Sequence, residues 1–109
     1  MKNKLEILKT SVIQRDDEIF GYQLNIDNYT LMIASLPSVW PENIIKYRGS
    51  DIATLVANIQ DEEQITLAAD LIFYDKLFAT LMTEKLEQRK AILVRQVIAI
   101  QIKELESCT

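Results

Sequence analysis

The sequence contains no histidine, only two glycines, two prolines and one cysteine. The absence of histidine excludes Ser-His-Asp and Cys-His nucleophiles, histidine metal clusters and Glu-x-x-His di-iron sites. Gly21 and Gly49 are too far apart in the chain to build a Gly-x-Gly-x-x-Gly loop or a phosphate-binding P-loop. The residue types therefore predict a non-enzymatic protein with no cofactor and no metal site.

The single cysteine, Cys108, allows no intramolecular disulfide, which is typical of a protein in a reducing compartment. The first residues, Met-Lys-Asn-Lys-Leu, lack the apolar core of a signal peptide. The sequence has no apolar run of about 18 residues, so we expect no membrane-spanning helix. These features together predict a soluble, cytoplasmic protein.

The 109 residues carry a net charge of −4, and 49% of them are hydrophobic. This composition can bury a core, which favours one folded domain over 1–109 and argues against disorder. Proteins that bind nucleic acid normally present a basic surface, so the acidic balance makes that partner unfavourable. The last segment, 84–106, has a slight basic excess, which keeps a nucleic-acid-associated regulator as the alternative. The residues that this alternative would use are Lys85, Arg89, Lys90 and Arg95.

Residues 61–106 contain no glycine or proline and are rich in strong helix formers. Asp61 suits the N-cap of a helix, and Gln64 completes a variant of the capping box. One straight helix of this length would measure about 69 Å, at 1.5 Å per residue. We therefore predict a mostly α-helical domain with a long C-terminal helix over 61–106, either continuous or broken near 80–85.

Residues 3–35 fit two different structures. An apolar stripe with helical spacing reaches Phe20, with Gly21 as a stop signal. Alternating apolar residues between Phe20 and Ile33 are instead typical of two strands joined by a turn. We therefore leave open an N-terminal β-hairpin over 18–34.

The middle of the chain is irregular, and its turn residues indicate where short helices begin and end. Pro41 suits the first position of a helix, and Gly49 suits a C-terminal stop. Ser50 or Asp51 can cap a short helix over 52–59, whose apolar residues share one face.

The end of the long helix is apolar on two sides. One stripe consists of Leu93, Val97 and Ile100, and the second of Val94, Ile98, Ile102 and Leu105. The many β-branched residues leave a strand open here, although the helix formers that precede them favour a helix. A helix with two apolar sides is expected to lie between two neighbours.

Asp75 lies within the broad apolar face of the acidic part of this helix. A carboxylate in such a place has to be paired, protonated or at an opening in the packing, because an isolated buried charge is very costly. If two copies of the helix pack antiparallel about Met82, Asp75 of one copy meets Arg89 of the other, as an isologous dimer requires. The alternative is that Asp75 pairs with Lys46, Arg48 or the backbone of its own chain, or lies at a break in the helix. A third interpretation is a functional acid. The residues predicted for the oligomer interface are Leu71, Asp75, Phe78, Met82, Leu86, Arg89, Leu93 and Val97.

Trp40, Tyr47 and Arg48 form a second candidate surface, for binding another protein. These residue types favour binding hot spots, and here they lie in an irregular segment. The competing interpretation is that Trp40 fills the core beside Pro37 and Pro41, because large aromatic side chains are usually well buried.

Among three functions that the sequence allows, the leading hypothesis is a small protein–protein interaction module that acts as a helical homo-oligomer. It would serve as an adaptor, inhibitor or assembly factor, bind a protein that the sequence does not identify, and need no cofactor. The alternative is the nucleic-acid-associated regulator. The third is a helical Mg²⁺-dependent hydrolase through Glu84 and Glu87, which share a helix face, although solvated charges that alternate with Lys85 and Arg89 explain this pair better.

Overall fold

The computed structural model describes residues 3–108, which form helices and connecting turns and include no β-strand. The mostly α-helical fold predicted from the sequence is therefore confirmed. The helices in this range are α1 (Lys4–Ala34), α2 (Glu42–Ile45), α3 (Ile52–Asn58) and α4 (Glu62–Ser107).

Helix α4 is continuous over 46 residues and has no break near 80–85. Asp61 lies directly before it, and its carboxylate accepts a hydrogen bond of 2.9 Å from the backbone N–H of Glu63. This bond satisfies one of the N–H groups that a helix start leaves without an intrahelical partner. The predicted long C-terminal helix is thus confirmed, with its start at the predicted cap.

The β-hairpin considered for 18–34 is not present, because all of these residues belong to α1. Ile19, Tyr22 and Ile26 are spaced by three and four residues and lie on one covered side of the helix, whereas Phe20 is exposed. The alternating pattern and the helical pattern overlap in this segment, and only the helical one buries its apolar residues together. Gly21 does not stop the helix, because it keeps a negative φ and the chain continues in the same conformation.

The Cα positions group into two compact units. The first consists of the described residues up to Asp27 and from Met82 onward, and the second of Asn28–Leu81. Helices α1 and α4 each contribute to both units. The single domain predicted over 1–109 stays a prediction.

The second unit contains the main apolar core, made by α2, α3 and the first turns of α4. Its members are Trp40, Ile44, Leu55, Ile59, Ala68, Leu71 and Ile72. Asp51 caps α3 and accepts a 2.7 Å hydrogen bond from the backbone N–H of Thr54, as predicted. Gly49 ends the preceding turn with a φ of 85°, a conformation that glycine adopts without steric cost.

The first unit is an antiparallel pair formed by the beginning of α1 and the end of α4. The covered residues of each helix recur every three and four positions, the a and d positions of a heptad repeat, which is the pattern of a coiled-coil seam. In α1 these residues are Leu5, Leu8, Val12, Arg15, Ile19, Tyr22 and Ile26. In α4 they are Glu84, Gln88, Ala91, Arg95, Ile98, Ile102 and Leu105, and the flanking Glu87, Ile92 and Ala99 are also half-buried.

Candidate interaction surface

A row of polar contacts joins α1 to α4 along one side of the first unit. Lys9 pairs with Glu106, with an Nζ–Oε1 distance of 3.5 Å. Seven residues further along α1, the carboxylate of Asp16 accepts a hydrogen bond from Nε of Arg95. After seven more residues, Gln23 accepts a 2.9 Å hydrogen bond from the amide of Gln88.

These contacts establish which residues of the two helices are level with each other. Asp16 is level with Arg95 and Gln23 with Gln88, so each step toward the C-terminus of α1 is a step toward the N-terminus of α4. The α1 members of the row are seven residues apart and therefore lie on one side of α1, at heptad position e. Lys9 meets Glu106, which also occupies position e, so this is the same side of both helices.

The residues one turn away from this row form an exposed face, which we call the b face after their heptad position. In α1 they are Glu6, Ile13, Phe20 and Asp27, and in α4 they are Met82, Arg89, Gln96 and Lys103. All eight are exposed, including Ile13 at 62%, Phe20 at 65% and Met82 at 41% of their maximal surface. Exposed apolar residues that follow a regular heptad position are typical of a helix–helix contact.

Charge on the b face is divided between the two helices. Its charged residues on α1, Glu6 and Asp27, are acidic, and those on α4, Arg89 and Lys103, are basic. None of these four belongs to an ion pair among residues 3–108. The face therefore has one acidic edge and one basic edge.

A second exposed apolar surface, the outer stripe, lies on α4 opposite the seam. It consists of Leu86, Leu93 and Ile100, spaced by seven residues, together with Val97. Their exposed fractions lie between 48% and 57%. The prediction that the end of this helix is apolar on two sides corresponds to this stripe and to the seam residues Ile98, Ile102 and Leu105.

Two residues of the predicted oligomer interface are engaged within the chain. Leu71 is fully buried in the core of the second unit. Asp75 accepts a 2.9 Å hydrogen bond from Nε of Arg48, the intrachain alternative that the sequence had left open. The others are exposed, namely Phe78, Met82, Leu86, Arg89, Leu93 and Val97. Their role in an oligomer stays a prediction.

The second candidate surface, Trp40, Tyr47 and Arg48, is divided between core and surface. Trp40 is 7% exposed and packs edge-on against Tyr74, with ring centroids 6.4 Å apart. Tyr47 is half-buried against the same core, and Nζ of Lys46 lies 5.1 Å from its ring centroid. Trp40 thus fills the core and is not part of an exposed surface.

The acidic pair considered for Mg²⁺ is engaged with neighbouring side chains. Glu84 accepts a 3.2 Å hydrogen bond from Asn25, and Glu87 forms a 3.2 Å ion pair with Lys90. Within residues 3–108, no group of three or more acidic, cysteine or histidine side chains could hold a metal ion. A surface depression at the start of α4 is lined by Glu62, Glu63, Thr66 and Leu67, and none of these lining residues is basic.

The basic residues of the nucleic-acid alternative are also divided. Arg95 is bound to Asp16 and Lys90 to Glu87, which leaves Lys85 and Arg89 outside the ion pairs of the described chain. Among residues 3–108, no helix is sufficiently long and apolar to cross a membrane.

The α1 half of the b face was missed by sequence reasoning. A signal was available, because Glu6, Ile13, Phe20 and Asp27 are spaced by seven residues. It could not be distinguished from the strand pattern until the partner of α1 was known.

Comparison of the chain with known protein families, with curated proteins and with solved structures finds no match.

Proposed function

We propose that this chain is a small, non-enzymatic protein–protein interaction module that acts as a helical homo-oligomer. The observation that carries the proposal is the exposed apolar surface of the first unit. Of the residues 91–102, only Arg95, Gln96 and Gln101 are polar. Arg95 forms an ion pair with the carboxylate of Asp16. A helix that is apolar almost all round normally lies inside a larger bundle, and in this unit α1 covers only one of its sides.

Self-association provides the missing neighbours without another gene product. Homo-oligomers with closed symmetry are the commonest soluble assemblies, and twofold dimers lead among them. An assembly of this kind would still present apolar side chains to another protein, as an adaptor, inhibitor or assembly factor does. The exposed free thiol of Cys108 fits the cytoplasm, where thiols stay reduced.

Sedimentation equilibrium over a wide range of protein concentrations tests the proposal. We expect a mass that rises from the 12.6 kDa of one chain to an integral multiple of it. The apolar contribution should make the assembly persist at high salt, because salt screens charges and leaves apolar burial in place. A mass of one chain at every concentration would show that the proposal is wrong.

The outer stripe can be tested separately with a dye that fluoresces on apolar surfaces. The triple variant Leu86→Gln/Leu93→Gln/Ile100→Gln should bind less dye than the wild type. Lys90→Gln, also on the exposed side of α4, is the matched control and should leave dye binding unchanged. Equal dye binding by all three proteins would mean that this stripe is not an accessible apolar surface.

A further inference from the structure

We infer that a second copy of this chain docks on the b face, so that α1 of each copy lies against α4 of the other in a four-helix bundle. The inference deepens the proposed function, on which it rests, by identifying the surface and the geometry of self-association. It follows from the levels of the residues, the division of charge and the exposed apolar side chains on that face.

The proposed dimer has twofold symmetry. A twofold axis that lies between two b faces and runs parallel to the helices exchanges α1 and α4 without changing the level of any residue. Each α1 then lies beside α4 of the second copy, in antiparallel orientation, as it already does within its own chain. This is the arrangement of an up-and-down four-helix bundle, and its contact is isologous, as in most dimers.

This symmetry pairs each b-face residue of α1 with the b-face residue of α4 that lies at the same level in the second copy. Equal steps in opposite directions from the Asn25–Glu84 hydrogen bond put Glu6 level with Lys103 and Phe20 level with Arg89. The same count from Asp16 and Arg95 differs by two residues, about 3 Å, which a long side chain spans. Glu6 therefore meets Lys103 of the second copy in an ion pair. Phe20 meets Arg89 of the second copy, where a guanidinium can stack on the aromatic ring.

The remaining levels are compatible with this packing. Ile13 meets Gln96 of the second copy, and Asp27 meets Met82 of the second copy, one turn from the exposed Lys85. Each acidic residue of the b face of α1 thus lies near a basic residue of α4, and no two like charges are level. Such complementarity favours one register and disfavours others.

The opposite face of the unit lacks this complementarity. Its residues at the corresponding position of α1 include Ile7, Gln14 and Gly21, and those of α4 include Lys90, Val97 and Glu104. The same symmetry would place Glu104 against Ile7 and Lys90 against Gly21, so that charges lie opposite uncharged residues. Two outer stripes packed antiparallel about Leu93 would match Leu86 with Ile100 but would leave Arg89 and Lys90 without an acidic partner.

Cysteine cross-linking tests the geometry directly. In a background with Cys108→Ser, the variant Ile13→Cys/Gln96→Cys places two thiols at the same level on the b face. We expect mild oxidation to convert it to a covalent dimer on a non-reducing gel, because these thiols would meet between copies. The matched control is Gln14→Cys/Val97→Cys, one residue further along each helix and on the opposite face, which should stay at the mass of one chain.

Charge exchange gives an independent measurement. Glu6→Lys and Lys103→Glu each replace two ion pairs of the dimer with like charges and should weaken dimerisation about tenfold. The double variant Glu6→Lys/Lys103→Glu restores opposite charges and should recover most of the affinity. Both positions are exposed in the chain, and circular dichroism can verify that each variant keeps its helices.

The outcomes separate the inference from the proposed function. A wild-type protein that stays monomeric at every concentration overturns both. An oligomeric wild type without cross-linking of Ile13→Cys/Gln96→Cys, or with more cross-linking of the control pair, overturns this geometry and leaves the proposed function standing. Charge-exchange variants that all dimerise as tightly as the wild type likewise overturn the geometry.

Discussion

Arg48 holds Asp75 in an ion pair, with 2.9 Å between Nε and Oδ2, although 27 residues separate the two in the chain. Asp75 had been the one carboxylate within an apolar helix face, and its position implied a partner. The partner comes from the turn before Gly49. Arg89, the partner that the dimer hypothesis gave Asp75, lies on the exposed b face.

We expect this ion pair to make a small contribution to stability, since both side chains are partly exposed to water. A double-mutant cycle with Arg48→Gln and Asp75→Asn should give a coupling energy of about 0.2–1 kcal/mol in urea unfolding. Asp70→Asn, in the same helix and outside the ion pairs of the described residues, is the control and should change stability less. A coupling energy of zero would contradict a formed pair in solution.

Replacing Arg15 with leucine should stabilise the first unit. Arg15 occupies the seam, and its Nε is buried without a hydrogen-bond partner, although Nη1 reaches Glu18 at 2.9 Å. A buried donor without a partner costs about 1–3 kcal/mol, so Arg15→Leu should raise the free energy of unfolding by about 1 kcal/mol. Urea unfolding at fixed protein concentration measures this change.

The control for Arg15 is its neighbour Gln14, which is exposed. Gln14→Leu adds the same side chain outside the seam and should change the free energy of unfolding by less than about 0.5 kcal/mol. A lower stability of Arg15→Leu than of the wild type would show that the guanidinium is satisfied in solution.

The core of the second unit should be sensitive to truncation at Leu55. Leu55 has no exposed surface, whereas the adjacent Val56 is 61% exposed. Leu55→Ala removes buried methyl groups and leaves a cavity, at a cost of about 2–5 kcal/mol. Val56→Ala should cost less than about 0.5 kcal/mol. Equal effects in thermal or urea unfolding would mean that α3 does not pack as described.

The cap of α3 should make stability depend on pH in the acidic range. The hydrogen bonds that Asp51 accepts from Thr54 lower the pKa of its carboxyl below the ordinary value. A lowered pKa in the folded state means that the contribution is complete above the unfolded pKa of about 3.9 and is lost as the pH falls through the folded value. The midpoint temperature of thermal unfolding should therefore decrease when the pH is lowered below about 4.

Asp51→Asn is the matched variant for this effect, because asparagine caps a helix without titrating. When the pH is lowered from 5 to 3, the midpoint temperature of thermal unfolding should decrease more for the wild type than for Asp51→Asn. The two proteins share every other carboxylate, so the difference between them reports the cap. Identical pH profiles would show that the Asp51 cap does not contribute to the pH dependence of stability.

Helices α3 and α4 could be predicted from local chemistry, whereas α1 could not be separated from a hairpin. The caps Asp51 and Asp61 and the glycine-free stretch 61–106 act through contacts within a few residues, so their effect is readable in the sequence. Register and pairing are different, because they depend on which helix covers which side. Phe20 illustrates this: its spacing fits a strand and a helix, and only the position of α4 decides that Ile19 is covered and Phe20 exposed.

By itself, the sequence determined that the chain is mostly helical, that its end is apolar on two sides and that Asp75 is a carboxylate on an apolar helix face. Each of these follows from periodicity, helix propensity or the cost of burying a charge, which are properties of a segment. Tertiary structure alone decided that the partner is Arg48, that Trp40 lies in the core and that the b face has an acidic and a basic edge. Those relationships join residues far apart in the chain, and their energies depend on distances that no local pattern specifies.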